Sequence, residues 1–143
     1  MIRHEVISTG SRGNAVIVGK SVLNDCGVPY RMIEPHIRDL KLVLLTHIHS
    51  DHFTPSTIRR MASERPLLRF GGCSWMIKPL VDAGVPRRQI DVLKTGTMYG
   101  YGICNVIPFP LVHDVLNCGY KLHFPGGKVI YATDTNSLAG ITA

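Results

Sequence analysis

Residues 46–52 read Thr-His-Ile-His-Ser-Asp-His and follow directly on the apolar run Leu42-Val43-Leu44-Leu45. Three imidazoles and a carboxylate within six positions are costly to bury unless something binds them. Any fold open to this chain must therefore end a buried strand here and open it onto a site. Histidines at i and i+2 of an extended segment project to one side, so His47 and His49 can share an ion. Asp51 and His52 lie beyond them, where the chain turns toward the next element, and can face a second ion. Nitrogen and oxygen donors of this kind suit zinc and related divalent metals. Two such ions about 3.5–4 Å apart activate water and stabilise the displaced oxygen in phosphoester hydrolysis.

The surrounding pattern is that of an α/β chain. Strands are expected over 5–8, 15–18 and 21–24, around the turn Gly10-Ser11-Arg12-Gly13-Asn14 and ending at Asp25-Cys26-Gly27. A short helix is expected over 31–40, then a strand over 41–45 buried on both faces. After the motif, Thr54 and Pro55 announce a threonine-capped helix over 56–63. A strand over 66–70, broken by Gly71-Gly72, and a helix over 74–83 follow. From residue 90 the pattern turns to strands, over 90–93, 98–101, 104–112, 119–124 and 128–133, the last two joined at Pro125-Gly126-Gly127.

With 143 residues, 45% of them hydrophobic and 18% charged, the chain is expected to form one domain, 1–143, with a real core. It has neither the roughly 18 uninterrupted apolar residues of a membrane helix nor the apolar centre of a signal peptide, so no membrane partner and a cytoplasmic location are expected. Cys26, Cys73, Cys104 and Cys118 are too scattered for a disulfide framework or a cysteine zinc knuckle, and read as reduced, mostly buried thiols. The net charge of +6 favours an anionic partner, with Arg59, Arg60, Arg65, Arg69, Arg87, Arg88 and Lys94 supplying much of it.

His47 to His52 matches the HxHxDH signature of the metallo-β-lactamase-fold hydrolases. Gly10 to Asn14 resembles the glycine-rich turn near the start of many cytosolic members. Leu23-Asn24-Asp25-Cys26-Gly27 resembles their L-I-D-x-G strand end, and Tyr131-Ala132-Thr133-Asp134 the later strand that ends in a metal-bridging aspartate. Val112-His113-Asp114 followed by Gly119-Tyr120 resembles a stretch of the bacterial YycJ-like group. The resemblance implies the N-terminal portion of an αββα sandwich, with mixed sheets and flanking helices. It implies that His47, His49 and His113 bind a first ion, that Asp51 and His52 bind a second, and that Asp134 bridges the two, with Asp51 and His113 closest to the catalytic step. The nucleophile would be a metal-held hydroxide. Zinc, as one or two ions, is the expected cofactor, with manganese as the alternative.

Some residues keep two readings. Asp25 is either an ordinary turn residue or a support for the ligands from behind, Asp134 either opens a turn or bridges, and Asp114 either orients its neighbour or meets substrate. His4, His36 and His123 have no motif around them and read as structural or exposed.

Relatives of this kind run on past 200 residues and add a final histidine ligand, whereas residues 135–143 hold none. The domain is therefore expected to be incomplete at its C-terminus, and to cover the exposed sheet face by forming a homo-oligomer, most simply a dimer. The expected activity is that of a phosphodiesterase or nuclease acting on nucleic acid. The alternatives are a hydrolase of a small ester, thioester or lactone, and a non-catalytic, partly metallated relative that only binds a partner.

Overall fold

The strand that precedes the histidine motif, β4 (Leu42–Leu45), is buried at every position, and its alternating side chains build two cores. Val43 and Leu45 enter a core shared with the helices, while Leu42 and Leu44 enter a second core between two sheets. A computed structural model describes residues 2–10, 13–111 and 115–132. Within it, β4 is a central strand of a six-stranded sheet in the order β1 (His4–Ser8), β2 (Ala15–Val18), β3 (Val22–Asn24), β4, β5 (Arg69–Gly72) and β6 (Ile90–Val92). The pairs β1–β2 and β2–β3 are antiparallel, and β3 to β6 run parallel. A second sheet, wholly antiparallel, has the order β10 (Gly127–Tyr131), β9 (Cys118–Phe124), β8 (Asn105–Pro110) and β7 (Tyr99–Gly100).

Helices α1 (Tyr30–Ile33), α2 (Pro55–Glu64) and α3 (Ile77–Asp82) accompany the first sheet. Ile33, Ile58, Met61 and Leu80 pack with Val43, Leu45 and Phe70 in the first core. Val18, Val22, Leu42 and Leu44 meet Val106, Tyr120 and Leu122 across the second. The described residues thus form a helix, sheet, sheet stack, in agreement with the expected architecture. No described helix is long and apolar enough to cross a membrane.

Several local expectations need correction. The helix expected over 31–40 is only α1 followed by a 3-10 turn, Glu34–His36. Pro35 has no N–H to continue an α-helix, and its ring would meet the carbonyl of Arg31. Pro79 acts likewise on the carbonyl of Trp75, so 74–76 form a 3-10 turn and α3 begins only at Ile77. Thr54 does sit at the cap of α2, but its side chain makes no capping hydrogen bond.

The strand expected over 66–70 lies instead at Arg69–Gly72, and Gly71-Gly72 complete it rather than break it. A Cβ on Gly72 would lie 2.8 Å from Cβ of Met76, and one on Gly71 would press at 3.1 Å on Leu44 and Leu93. The glycines are there because side chains from both cores crowd the strand.

Leu44 is fully buried between the sheets, whereas Leu67 is 87% exposed. Leu44→Ala is expected to lower unfolding stability by about 2–5 kcal/mol, and Leu67→Ala by less than about 0.5 kcal/mol; urea unfolding of the two variants checks the contrast.

Candidate metal centre

The parallel strands β3, β4, β5 and β6 all finish on the same edge of their sheet, and the chemistry-bearing residues stand just beyond that edge. Asp25 follows β3, and Thr46 to His52 follow β4. Backbone hydrogen bonds lace the histidine loop to the two segments beside it. Asn14 N–H donates to the Asp51 carbonyl (2.6 Å), Cys26 N–H to His52 (3.0 Å), and Thr54 N–H to Cys26 (2.7 Å). Gly27 lies against this loop so closely that a Cβ would stand 2.1 Å from the Asp51 carbonyl oxygen. Gly13 in turn meets Gly27, where an added Cβ would be 2.3 Å from the carbonyl. The two glycine-bearing segments are therefore the bed on which the loop rests.

Asp25 is fully buried and in the left-handed region at φ 62°. Its carboxylate accepts from the Thr46 N–H (2.9 Å), the Thr46 hydroxyl (2.8 Å), Nδ1 of His52 (2.7 Å) and the Tyr131 hydroxyl (2.9 Å). Four donors on one carboxylate offset much of the cost of burying its charge.

These bonds fix the histidine tautomers by donor and acceptor logic. Nδ1 of His52 faces a carboxylate and must carry the proton, which leaves the lone pair on Nε2. The Thr46 hydroxyl gives its only proton to Asp25, so the 2.8 Å contact to His47 requires Nδ1 of His47 to donate. The lone pair of His47 is then also on Nε2.

The rings themselves are gathered. His47 and His52 are 4.2 Å apart between centroids and His47 and His49 are 5.0 Å apart, edge to face. Oδ2 of Asp51 is 3.6 Å from Nε2 of His52. With metal bonds of roughly 2.0–2.2 Å, neighbouring ligand atoms of a tetrahedral zinc stand roughly 3.3–3.5 Å apart. The Asp51 and His52 pair is close to that edge, so these donors fit a divalent ion. His47 and His52 are fully buried, His49 is half-buried, and the intervening Ile48 is 50% exposed. The alternation expected for His47 and His49 is thus present. Asn14 caps the arrangement, its amide donating to the Asp51 carbonyl (2.9 Å) and lying 3.1 Å from Nε2 of His52.

Three of the residues singled out in the sequence, His113, Asp114 and Asp134, lie outside the described residues. Among the described residues no group of three His, Cys, Asp or Glu side chains is arranged to hold an ion alone. His36 pairs with Glu5 at 3.3 Å and plays no part in the loop. All four cysteines are buried free thiols. Burial pushes Cys26 up to about 12 and Cys104 up to about 11, so both remain protonated near neutral pH and neither is a thiolate nucleophile.

Thr46, Tyr131, Asn14 and Trp75 also belong to the site, although no sequence motif marks them as site residues. Trp75 Nε1 donates to the Thr46 carbonyl (3.0 Å) and the Tyr120 hydroxyl donates to that of Leu45, so the end of β4 is held from the side as well as from behind. Only the position of Thr46, immediately before the first histidine, could have drawn notice.

Residues 19–140 match the family model of the β-lactamase superfamily domain. The exodeoxyribonuclease YycJ of Bacillus anthracis is 26% identical over 145 residues, an overlap of 94% of this chain and 54% of the relative; the chain therefore spans about half of that protein. Among solved structures, the short form of human tRNase Z superposes with a TM-score of 0.74 at 16% identity, over 98% of this chain and 71% of that one. The metallo-β-lactamase fold protein YhfI from Bacillus subtilis gives 0.69 at 14% identity, over 90% and 61%. At such identities these structures establish the shared fold.

Two substitutions test the bed of the loop. Asp25→Asn puts an amide N–H against donors and is expected to weaken zinc binding roughly 10–100-fold, read by competition with a chromophoric chelator. Gly27→Ala forces the loop off its bed and should lower the thermal midpoint by several degrees, corresponding to about 1–3 kcal/mol. Wild-type values for both variants would overturn the assignment.

Proposed function

The chain belongs to the β-lactamase superfamily and carries the metallo-β-lactamase fold, and on that premise we propose that it is a metal-dependent hydrolase whose substrate is a nucleic-acid phosphodiester, with DNA ahead of RNA. The observation that carries this reading is the pair of tautomer-locked imidazoles, His47 and His52, beside the Asp51 carboxylate. An apolar-core role would not call for a buried carboxylate whose hydrogen bonds place the lone pairs of both rings on Nε2.

His47, His49, Asp51 and His52 would hold the metal, joined by His113 and Asp134. Zinc suits these donors, and manganese is the alternative. When bound, divalent ions supply Lewis-acid activation of water and neutralise charge on a phosphate. The chain's own part is orientation. Asp25 and Thr46 keep the protons of His47 and His52 on Nδ1, and Asn14 restrains Asp51. The core behind β4 keeps water from competing for these hydrogen bonds.

Three considerations favour a nucleic acid over a small ester, thioester or lactone. The chain carries a net charge of +6. The curated relative is named an exodeoxyribonuclease, and one of the matching folds is a tRNase. Not all of the charge is available for a ligand: Arg60 pairs with Glu64 and lies 4.0 Å over the Tyr30 ring, Arg65 binds the Ile37 carbonyl, and Arg69 pairs with Asp91. The pool offered to an anion is correspondingly smaller than the sequence suggests. The half-buried outer row Ile107 and Ile130, which flanks Lys121 in register, favours a second copy of the chain against the four-stranded sheet.

A binding protein without catalysis is the competing reading. Cleavage of fluorescent single- and double-stranded DNA, with and without added zinc or manganese, separates the two. Metal-stimulated cleavage that falls at least about 1,000-fold in His47→Ala/His49→Ala is expected. Metal-independent cleavage, or cleavage retained in the double variant, would contradict the proposal.

A further inference from the structure

One strand along from the histidine loop, at the carboxyl ends of β5 and β6, a groove of about 490 Å³ opens on the surface. That volume lies in the range of small-molecule sites, roughly 300–1,000 Å³. Its walls include two aromatic rings, Trp75 and Tyr99, with Ser74, Lys94 and Thr95 around them and Cys73 alongside. Both rings are fixed by their polar tips. Trp75 Nε1 donates to the Thr46 carbonyl at 3.0 Å, and the Tyr99 hydroxyl accepts from the Lys94 backbone N–H at 2.8 Å. Each is half-buried, so part of each ring stays open to a ligand.

The charge of the groove is one-sided. Among the described residues no carboxylate lines it, and Lys94 supplies the only charged lining side chain. Lys94 is exposed and forms no ion pair among the described residues, unlike Arg60, Arg69 and Lys78. Rings held at their edges, hydroxyl donors and one uncompensated cation together describe a receptor for a flat, apolar-faced group that carries an anion. A nucleotide is such a group.

Trp75 ties one wall of the groove to the end of β4, where the histidine loop begins. The carbonyl that receives the Trp75 N–H belongs to Thr46, whose own N–H and hydroxyl bind Asp25 and whose neighbour is His47. Neighbouring strands stand about 4.8 Å apart, so the ends of β5 and β6 lie roughly 5–10 Å from the end of β4, within reach of an adjoining nucleotide.

We propose that this groove holds a nucleotide of a single strand next to the one presented to the histidine loop, its base against Trp75 and Tyr99 and its phosphate at Lys94. The identity of the occupant rests on the phosphodiesterase reading; the shape and charge of the groove do not.

Trp75 is the only tryptophan in the chain, so its emission reports on this groove alone. The probe is a short thymidylate oligomer with phosphorothioate linkages, titrated into the full chain in the presence of a chelator, so that no cleavage intervenes. Saturable quenching is expected, weakening with salt. Lys94→Glu should loosen it roughly fivefold or more, Lys94→Ala by less, and Tyr99→Leu by a similar factor to Lys94→Glu. Unchanged circular dichroism of the exposed Lys94 variants establishes that they fold.

Emission indifferent to the oligomer overturns the groove, as does equal quenching by a heparin fragment, which carries the charge without the bases. Quenching in a protein that never cleaves DNA sustains the groove and removes the phosphodiesterase reading. Metal-stimulated cleavage without quenching does the reverse.

Discussion

A single buried carboxylate organises the functional edge of this molecule. Asp25 stands at the end of β3 and draws four donors from three places in the chain, namely the backbone and hydroxyl of Thr46, the imidazole of His52 and the hydroxyl of Tyr131. It is reached from both sheets, since Tyr131 closes β10 of the second. A charge buried to this degree is tolerable only when its hydrogen bonds are complete, so the end of β4, the histidine loop and the second sheet are coupled through one side chain. Tautomer choice at His47 and His52 follows from the same bonds.

Around that carboxylate the chain supplies close backbone contact instead of further charge. Gly13 meets Gly27, and Gly27 meets the peptide between Asp51 and His52, at separations that leave no room for a Cβ. The loop is thus carried by main-chain hydrogen bonds from two neighbouring segments, while Trp75 and Tyr120 hold the carbonyls at the end of β4. Rigid support of this sort would hold the proposed metal ligands in place before any ion arrives, which reduces the ordering cost of binding.

Much of this was legible in the sequence, for reasons that differ by residue. The run Leu42 to Leu45 has no polar side to show to water, so a two-faced strand was the only reading, and both cores use it. The histidine motif was legible because its donors are too dense to be packing residues. The glycines were legible only as breaks: Gly71 and Gly72 finish a strand because Leu44, Leu93 and Met76 crowd it, and such crowding is a property of the assembled layers. The proline effects at Pro35 and Pro79 depend on which carbonyl sits one turn back. Thr46 and Tyr131 could not be recognised as partners of Asp25, because 21 and 106 residues separate them from it. Lys94 looked like one basic residue among many until Arg60, Arg65 and Arg69 proved to be engaged elsewhere.

In the proposed metal centre imidazole and carboxylate donors hold the ion, and the four thiols take no part. X-ray absorption at the zinc edge of the purified, zinc-loaded protein tests this most directly. Nitrogen and oxygen neighbours at about 2.0–2.2 Å, with the outer scattering of imidazole rings, are the expected result. A sulfur neighbour at about 2.3 Å, or zinc without imidazole scattering, would contradict it.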